Sequence, residues 1–124
     1  MPLAGPLGEA EGDWSVDEPP WRPESLTLMS DYEVPVPLWI GPGVCLDRKH
    51  LDRLRLSESL SQRLLEWQQH FDDHFGYRFA WDGPSSSTAY AEEGFRLLRD
   101  LGEELPDARV TLDLWPVTGQ APAT

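Results

Sequence analysis

Leu56, Leu60, Leu64, Trp67, Phe71 and Phe75 recur at intervals of four, four, three, four and four. That spacing lays one apolar stripe along a single α-helix. No other feature constrains the chain as tightly. A stripe of this length has to be buried against other elements, so the chain must build a true hydrophobic core around it. The helix is predicted to start at Ser57, a good N-cap with Glu58 suiting the positive end of the dipole. It should run to about Phe75 and stop at Gly76 in the left-handed conformation.

The 124 residues leave room for one such core. A hydrophobic fraction of 40% and six tryptophans are enough to fill it, which excludes wholesale disorder. The formal charge of −12 comes from 22 carboxylates against 10 bases. A field of that sign repels nucleic acid and anionic membrane surfaces and draws in cationic partners, so the natural complement is a basic protein. Cys45 is the only cysteine, so no internal disulfide forms, and it reads as a small apolar side chain near a strand end. The N-terminus has neither the basic region nor the apolar run of a signal peptide, and no apolar run approaches membrane-spanning length; a cytoplasmic protein is expected. Lys49 is the sole lysine beside nine arginines, a skew that suits a GC-rich bacterial genome.

Residues 1–28 are rich in Gly, Pro, Glu and Asp without apolar periodicity and read as a flexible acidic arm, with Trp14 and Trp21 as anchors. Met29 opens the region expected to fold, residues 29–116, and a natural start there would make the arm an upstream extension. Tyr32, Val34, Val36 and Leu38 alternate with polar residues and prolines, predicting an edge strand that Gly41-Pro42-Gly43 breaks. Residues 46–56 fit a short helical turn or a loop, and residues 77–81 or 25–29 an extra short strand. After Gly83-Pro84, one of Ser85, Ser86 and Ser87 should cap a second helix. Its buried face is Tyr90, Leu97, Leu98, Leu101 and Leu105, with Gly94 allowing close approach and Pro106 ending it. Val110, Leu112 and Leu114 then mark a strand, and residues 117–124 a disordered tail. The predicted fold is α+β: strand, helix, helix, strand, with two amphipathic helices on one face of a small sheet and the outer strands paired.

Candidate chemistry is sparse. His70 and His74 lie four apart on one side of the first long helix and, with Asp73, form a possible metal pair. The zinc-protease pattern fails because Phe71 stands where its glutamate base should follow the first histidine. Asp72-Asp73 and Glu92-Glu93 are adjacent on helices and diverge by about 100°, so neither pair converges on one substrate atom. Gly83-Pro84-Ser85-Ser86-Ser87-Thr88 lacks the Lys-Ser/Thr ending of a phosphate loop. No catalytic residue, metal ligand or cofactor is therefore assigned. Trp81 and Tyr77 are the aromatic residues expected at the surface. Together with Asp72, Asp73, Asp82, Glu92 and Glu93 they make a charged rim with aromatic contact area, the composition of a protein-binding surface.

Ser30-Asp31-Tyr32, Pro37-Leu38-Trp39, Leu56-Ser57 with Leu60, and the helix around Trp67 resemble a family of small uncharacterised bacterial proteins. The family recurs in actinobacteria with a core of about 95 residues. The resemblance spans residues 30–115 and rests on structural rather than catalytic motifs. Proteins of this kind are often placed beside toxins, so what it implies is an immunity protein. The leading expectation is a non-enzymatic acidic module that neutralises a basic, nuclease-like toxin. The alternatives are a structural or adaptor subunit of a larger assembly, and a small metal-binding protein using His70 and His74.

Overall fold

The computed structural model describes residues 20–41, 43–76, 78 and 80–118. Its sheet is built around Ser25-Leu26-Thr27-Leu28, strand β1, in which alternate leucines are buried to 1% and 0% exposure. β1 pairs antiparallel with β2 (Leu38–Gly41), and β2 pairs antiparallel with β3 (Val44–Cys45) through an irregular register between Trp39 and Gly41. On its other side β1 pairs in parallel with β4 (Arg109–Leu112), Leu26 opposite Val110 and Leu28 opposite Leu112, giving the order β3-β2-β1-β4. Between β3 and β4 the chain forms α1 (Arg48–Arg53) and two long helices, α2 (Glu58–His74) and α3 (Pro84–Glu104). A last helical turn, α4 (Trp115–Thr118), follows β4. The class is α+β, with a four-stranded mixed sheet whose buried leucines share one core with the helices.

The stripe behaves as its spacing dictates. Leu60, Leu64, Trp67, Phe71 and Phe75 are buried, and Leu56 packs on them half-buried. Ser57 is the N-cap of α2, its Oγ accepting from the Leu60 amide at 3.2 Å. α2 and α3 run antiparallel with no room between them: the Trp67 and Tyr90 rings stack at 4.3 Å and 9°, and the indole N–H donates to the Tyr90 carbonyl at 2.8 Å. Gly94 is what lets α3 come that close, since a Cβ there would stand 3.1 Å from the Trp67 ring.

Several expectations are corrected. Four residues of the supposed 1–28 arm form a central strand, so the folded unit begins before Met29; a chain starting at Met29 would lack the strand that joins β2 to β4. Trp21 is docked as well, its amide donating to Arg53 O at 2.8 Å and its ring 5.4 Å from that of His50, whereas Trp14 lies outside the described residues. The alternation from Tyr32 makes no strand before Leu38, because Pro35 and Pro37 have no amide to give and Glu33 turns the chain at φ +62°. Val36 still points into the core. The outer strands do not pair with each other: β4 joins β1. Phe75 leaves α2 extended and the Gly76 amide donates to Ala80 O, in place of a left-handed stop at Gly76. Gly83 and Pro84 open α3 without a side-chain cap, so none of the three serines is the cap. Val117, assigned to the tail, lies in α4 against the core, and residues 119–124 lie outside the described residues.

Gly94→Ala should destabilise by about 1 kcal/mol, because crowding the pinned Trp67 outweighs the gain in helix propensity. Gly102→Ala meets nothing within 4 Å and should stabilise by up to about 0.8 kcal/mol. Urea unfolding of the two variants checks the contrast.

Candidate functional site

The acidic residues singled out by sequence gather around the α2–α3 hairpin but divide into two groups. Asp72, Asp73 and Asp82 lie where α2 ends and α3 begins. Glu92 and Glu93 lie on α3 further along. At the first place the connection is closed by main-chain bonds: Phe75 and Trp81 form an isolated bridge, and the Asp82 amide donates to His74 O at 2.9 Å. This sets the Asp82 carboxylate between two helices. One oxygen accepts from Ser86 Oγ at 2.6 Å and the other lies 2.7 Å from His74 Nδ1. The Ser86 hydrogen bond, and then His74, hold the Asp82 carboxyl below the usual carboxylate range.

Asp72 and Asp73 are exposed, and each accepts from a glutamine one turn earlier, Gln68 at 3.0 Å and Gln69 at 2.8 Å. Partial burial of the Asp72 carboxyl raises its pKa. Among the described residues neither aspartate has an arginine or lysine within ion-pair distance. These two carboxylates thus present uncompensated charge to an approaching cation.

The second group is different. Arg63 of α2 reaches across to α3, with Nε 2.9 Å from Glu93 and Nη1 2.8 Å from Asp100, all three side chains being partly buried. Arg96 adds a 3.1 Å contact to Glu93 and a longer one of 3.9 Å to Glu92. The Asp100 carboxyl is held low by Arg99 and then Arg63. Glu93 is therefore committed to holding the helices together, whereas Glu92 is exposed. Arg63 and Asp100 form the contact that sequence reasoning missed. They lie 37 residues apart on different helices, and no local spacing signals the bridge.

Trp81 is half-buried in an aromatic cluster, 5.0 Å from the rings of Phe75 and Tyr90, with its indole N–H donating to Pro116 O at 2.9 Å. It therefore offers a partner only its outer edge. Tyr77 lies outside the described residues.

The His70 and His74 rings sit 4.5 Å apart, as their spacing implies, but His70 Nε2 is 2.9 Å from Ser86 O and His74 Nδ1 is taken by Asp82. No group of three or more His, Cys, Asp or Glu among the described residues is placed to hold a metal ion. Cys45 donates to Val36 O, and burial raises its thiol pKa. His50 lies against Trp21 and 2.8 Å from Asp47. No helix of the described chain is long and apolar enough to cross a membrane.

Fold and surface together define a small acidic α+β protein that carries uncompensated carboxylates at one end of a helical hairpin. The chain belongs to the Serratia CdiI immunity protein-like family, whose model matches residues 24–112. That span begins one residue before β1 and ends with β4, so it coincides with the sheet. No curated protein matches the chain.

Asp82 and Asp100, together with Asp47 (which accepts the His50 amide), all have lowered carboxyl pKa values in the folded state. Each contributes stability that is complete above the ordinary carboxylate pKa and is lost as pH falls through the depressed folded value. Asp72, with its raised pKa, acts in the opposite sense. Stability should therefore fall on acidification below about pH 4, and Asp100→Asn should flatten that slope. Arg63→Met should cost about 1 kcal/mol at neutral pH. Urea midpoints collected across a pH series test all three.

Proposed function

We propose that this protein is a non-enzymatic immunity protein that binds and neutralises a basic, nuclease-like toxin. The observation that carries the proposal is the family match across residues 24–112, the whole of the sheet and the helices α1 to α3. The net charge of −12 supports a basic partner, since complementary potentials accelerate encounter and discriminate against wrong partners. A cytoplasmic location, where an incoming toxin would act, belongs to the same proposal.

The binding surface in this reading is the end of the hairpin where Asp72, Asp73 and Asp82 meet, extended by Glu92. The edge of Trp81 supplies contact area. Asp72 and Asp73 carry the steering, because among the described residues no arginine or lysine balances them. Glu93 contributes less, because Arg63 already neutralises it. In this mechanism inhibition is occlusion: the acidic end covers the cationic cleft with which a nuclease would hold its phosphate backbone.

Affinity capture from the native host, followed by mass spectrometry, should recover a basic toxin at equal stoichiometry. Asp72→Asn combined with Asp73→Asn should then lower the association rate with that toxin about tenfold at low salt and by less at high salt. A captured partner that is acidic, or an association rate indifferent to both substitutions and salt, would overturn the electrostatic reading. Recovery of envelope or assembly components instead would favour the adaptor alternative.

A further inference from the structure

Among the described residues, β4 has a neighbour on one side only. The Arg109 amide donates to Glu24 O at 2.8 Å and the Asp113 amide to Leu28 O at 2.9 Å, so Arg109, Thr111 and Asp113 turn their main-chain groups toward β1. By the two-residue period of a strand, Val110 and Leu112 turn theirs outward. Among the described residues nothing hydrogen-bonds to them. An open edge of this kind is a template for pairing unless something blunts it. Here no proline or lysine interrupts Arg109–Leu112.

Among the described residues, one flank of α3 beside that edge is also bare. Glu93 and Asp100 face α2 through Arg63, and Phe95 lies two residues on from Glu93, about 200° around the helix. Phe95 is 58% exposed, the most exposed of the large apolar side chains described. It shares that flank with Leu98, and at Gly94 beside it a Cβ would stand 3.5 Å from Leu112 and 3.4 Å from Leu114, so this part of α3 lies over β4. The bare flank of α3 therefore overhangs the bare edge of β4.

We propose that this edge pairs with the β4 edge of a second copy of the chain, forming a two-fold dimer with one continuous eight-stranded sheet. Three antiparallel registers place outward residues opposite each other, centred on Val110, Thr111 or Leu112. Only the register centred on Thr111 sets Val110 against Leu112 of the other copy twice over, so both outward residues of both strands are bonded. The same register sets Arg109 opposite Asp113 at each end. Both side chains are exposed on the open face of the sheet, and opposite charges at paired positions stabilise a ladder. The short segment Arg109–Asp113 is thus complementary in charge to its own antiparallel copy, which is what a two-fold contact requires. Thr111 meets its counterpart on the axis, and the Phe95 flanks approach each other above. The inference does not depend on the toxin and concerns a different surface from the acidic end.

Sedimentation of the intact chain across a concentration series should show mass rising from 14.1 kDa toward twice that value. Arg109→Asp sets aspartate against aspartate, and Asp113→Arg sets arginine against arginine; each alone should weaken self-association about tenfold or more. Mixed together, the two variants restore both oppositely charged pairs and should form a heterodimer, an outcome that damaged folding cannot mimic. In the non-hydrogen-bonded pair on the axis the Thr111 Cα atoms would lie about 4.5 Å apart, so Thr111→Cys should oxidise to a covalent dimer. A wild-type chain that stays monomeric throughout overturns the proposal. So does a dimer insensitive to both charge reversals, or a mixture that fails to associate.

Discussion

The parallel pairing of β1 with β4 is the constraint on which the rest of the molecule depends. It joins residues 25–28 to residues 109–112, and everything between is a crossover that has to return the chain to the starting edge. Parallel strands need a long connection, usually helical. Here that connection contains the β2–β3 ribbon as well as the helical hairpin. Because β1 is bonded on both sides, its Leu26 and Leu28 sit at the bottom of the core. The α2 stripe has a floor to pack on only when β1 is in place. The family match begins and ends with these two strands, as expected if they close the unit.

Above the sheet, the two helices are held by unlike means at successive levels. Near the middle the Trp67–Tyr90 stack excludes water and Gly94 makes room for it. On the outward side Arg63 spans the gap to Glu93 and Asp100. At the far end His74 and Ser86 both converge on Asp82. The middle level fixes the distance between the helices and the outer levels fix their rotation. Glu93 and Asp100, partly buried around Arg63, are thereby committed to the hairpin, whereas Asp82 stays exposed at its tip. Asp72 and Asp73, by contrast, have only glutamine side chains as partners among the described residues.

How much of this was legible in the sequence follows the range of the interactions. The α2 stripe, the Ser57 cap, the need for a glycine at 94 and the strand at Val110 and Leu112 all rest on spacings within one element, and they were readable. β1 was legible only as one of two places for an extra short strand; its four residues follow a proline-rich stretch, and its central place in the sheet depends on β4, 84 residues further on. Tyr32 to Leu38 misled in the opposite direction: alternation suggested a strand, but two prolines without amides left a loop in which Val36 is buried all the same. Trp81 was placed at the surface on the strength of its Gly-Pro neighbours, whereas Pro116 supplies the indole with an acceptor from a distant turn. In the sequence Asp72, Asp73, Asp82, Glu92 and Glu93 read as one charged rim. Which of those acids are engaged could not be read, because Arg63 declares its partners only once the helices are side by side.

The Ser57 cap has a further consequence. Glu104, from the last turn of α3, accepts both the Ser57 amide and the Ser57 hydroxyl at 2.7 Å, while Ser57 Oγ caps the Leu60 amide. This is the arrangement of a capping box, except that its glutamate is borrowed from another helix instead of standing three residues downstream. Helix ends normally fray independently, each with its own small opening free energy. Here the first turn of α2 and the last turn of α3 share one set of hydrogen bonds, so they open together. Amide exchange at Leu60 and at Leu105 thereby reports a single event, and the hairpin has a latch at the end opposite to its acidic tip.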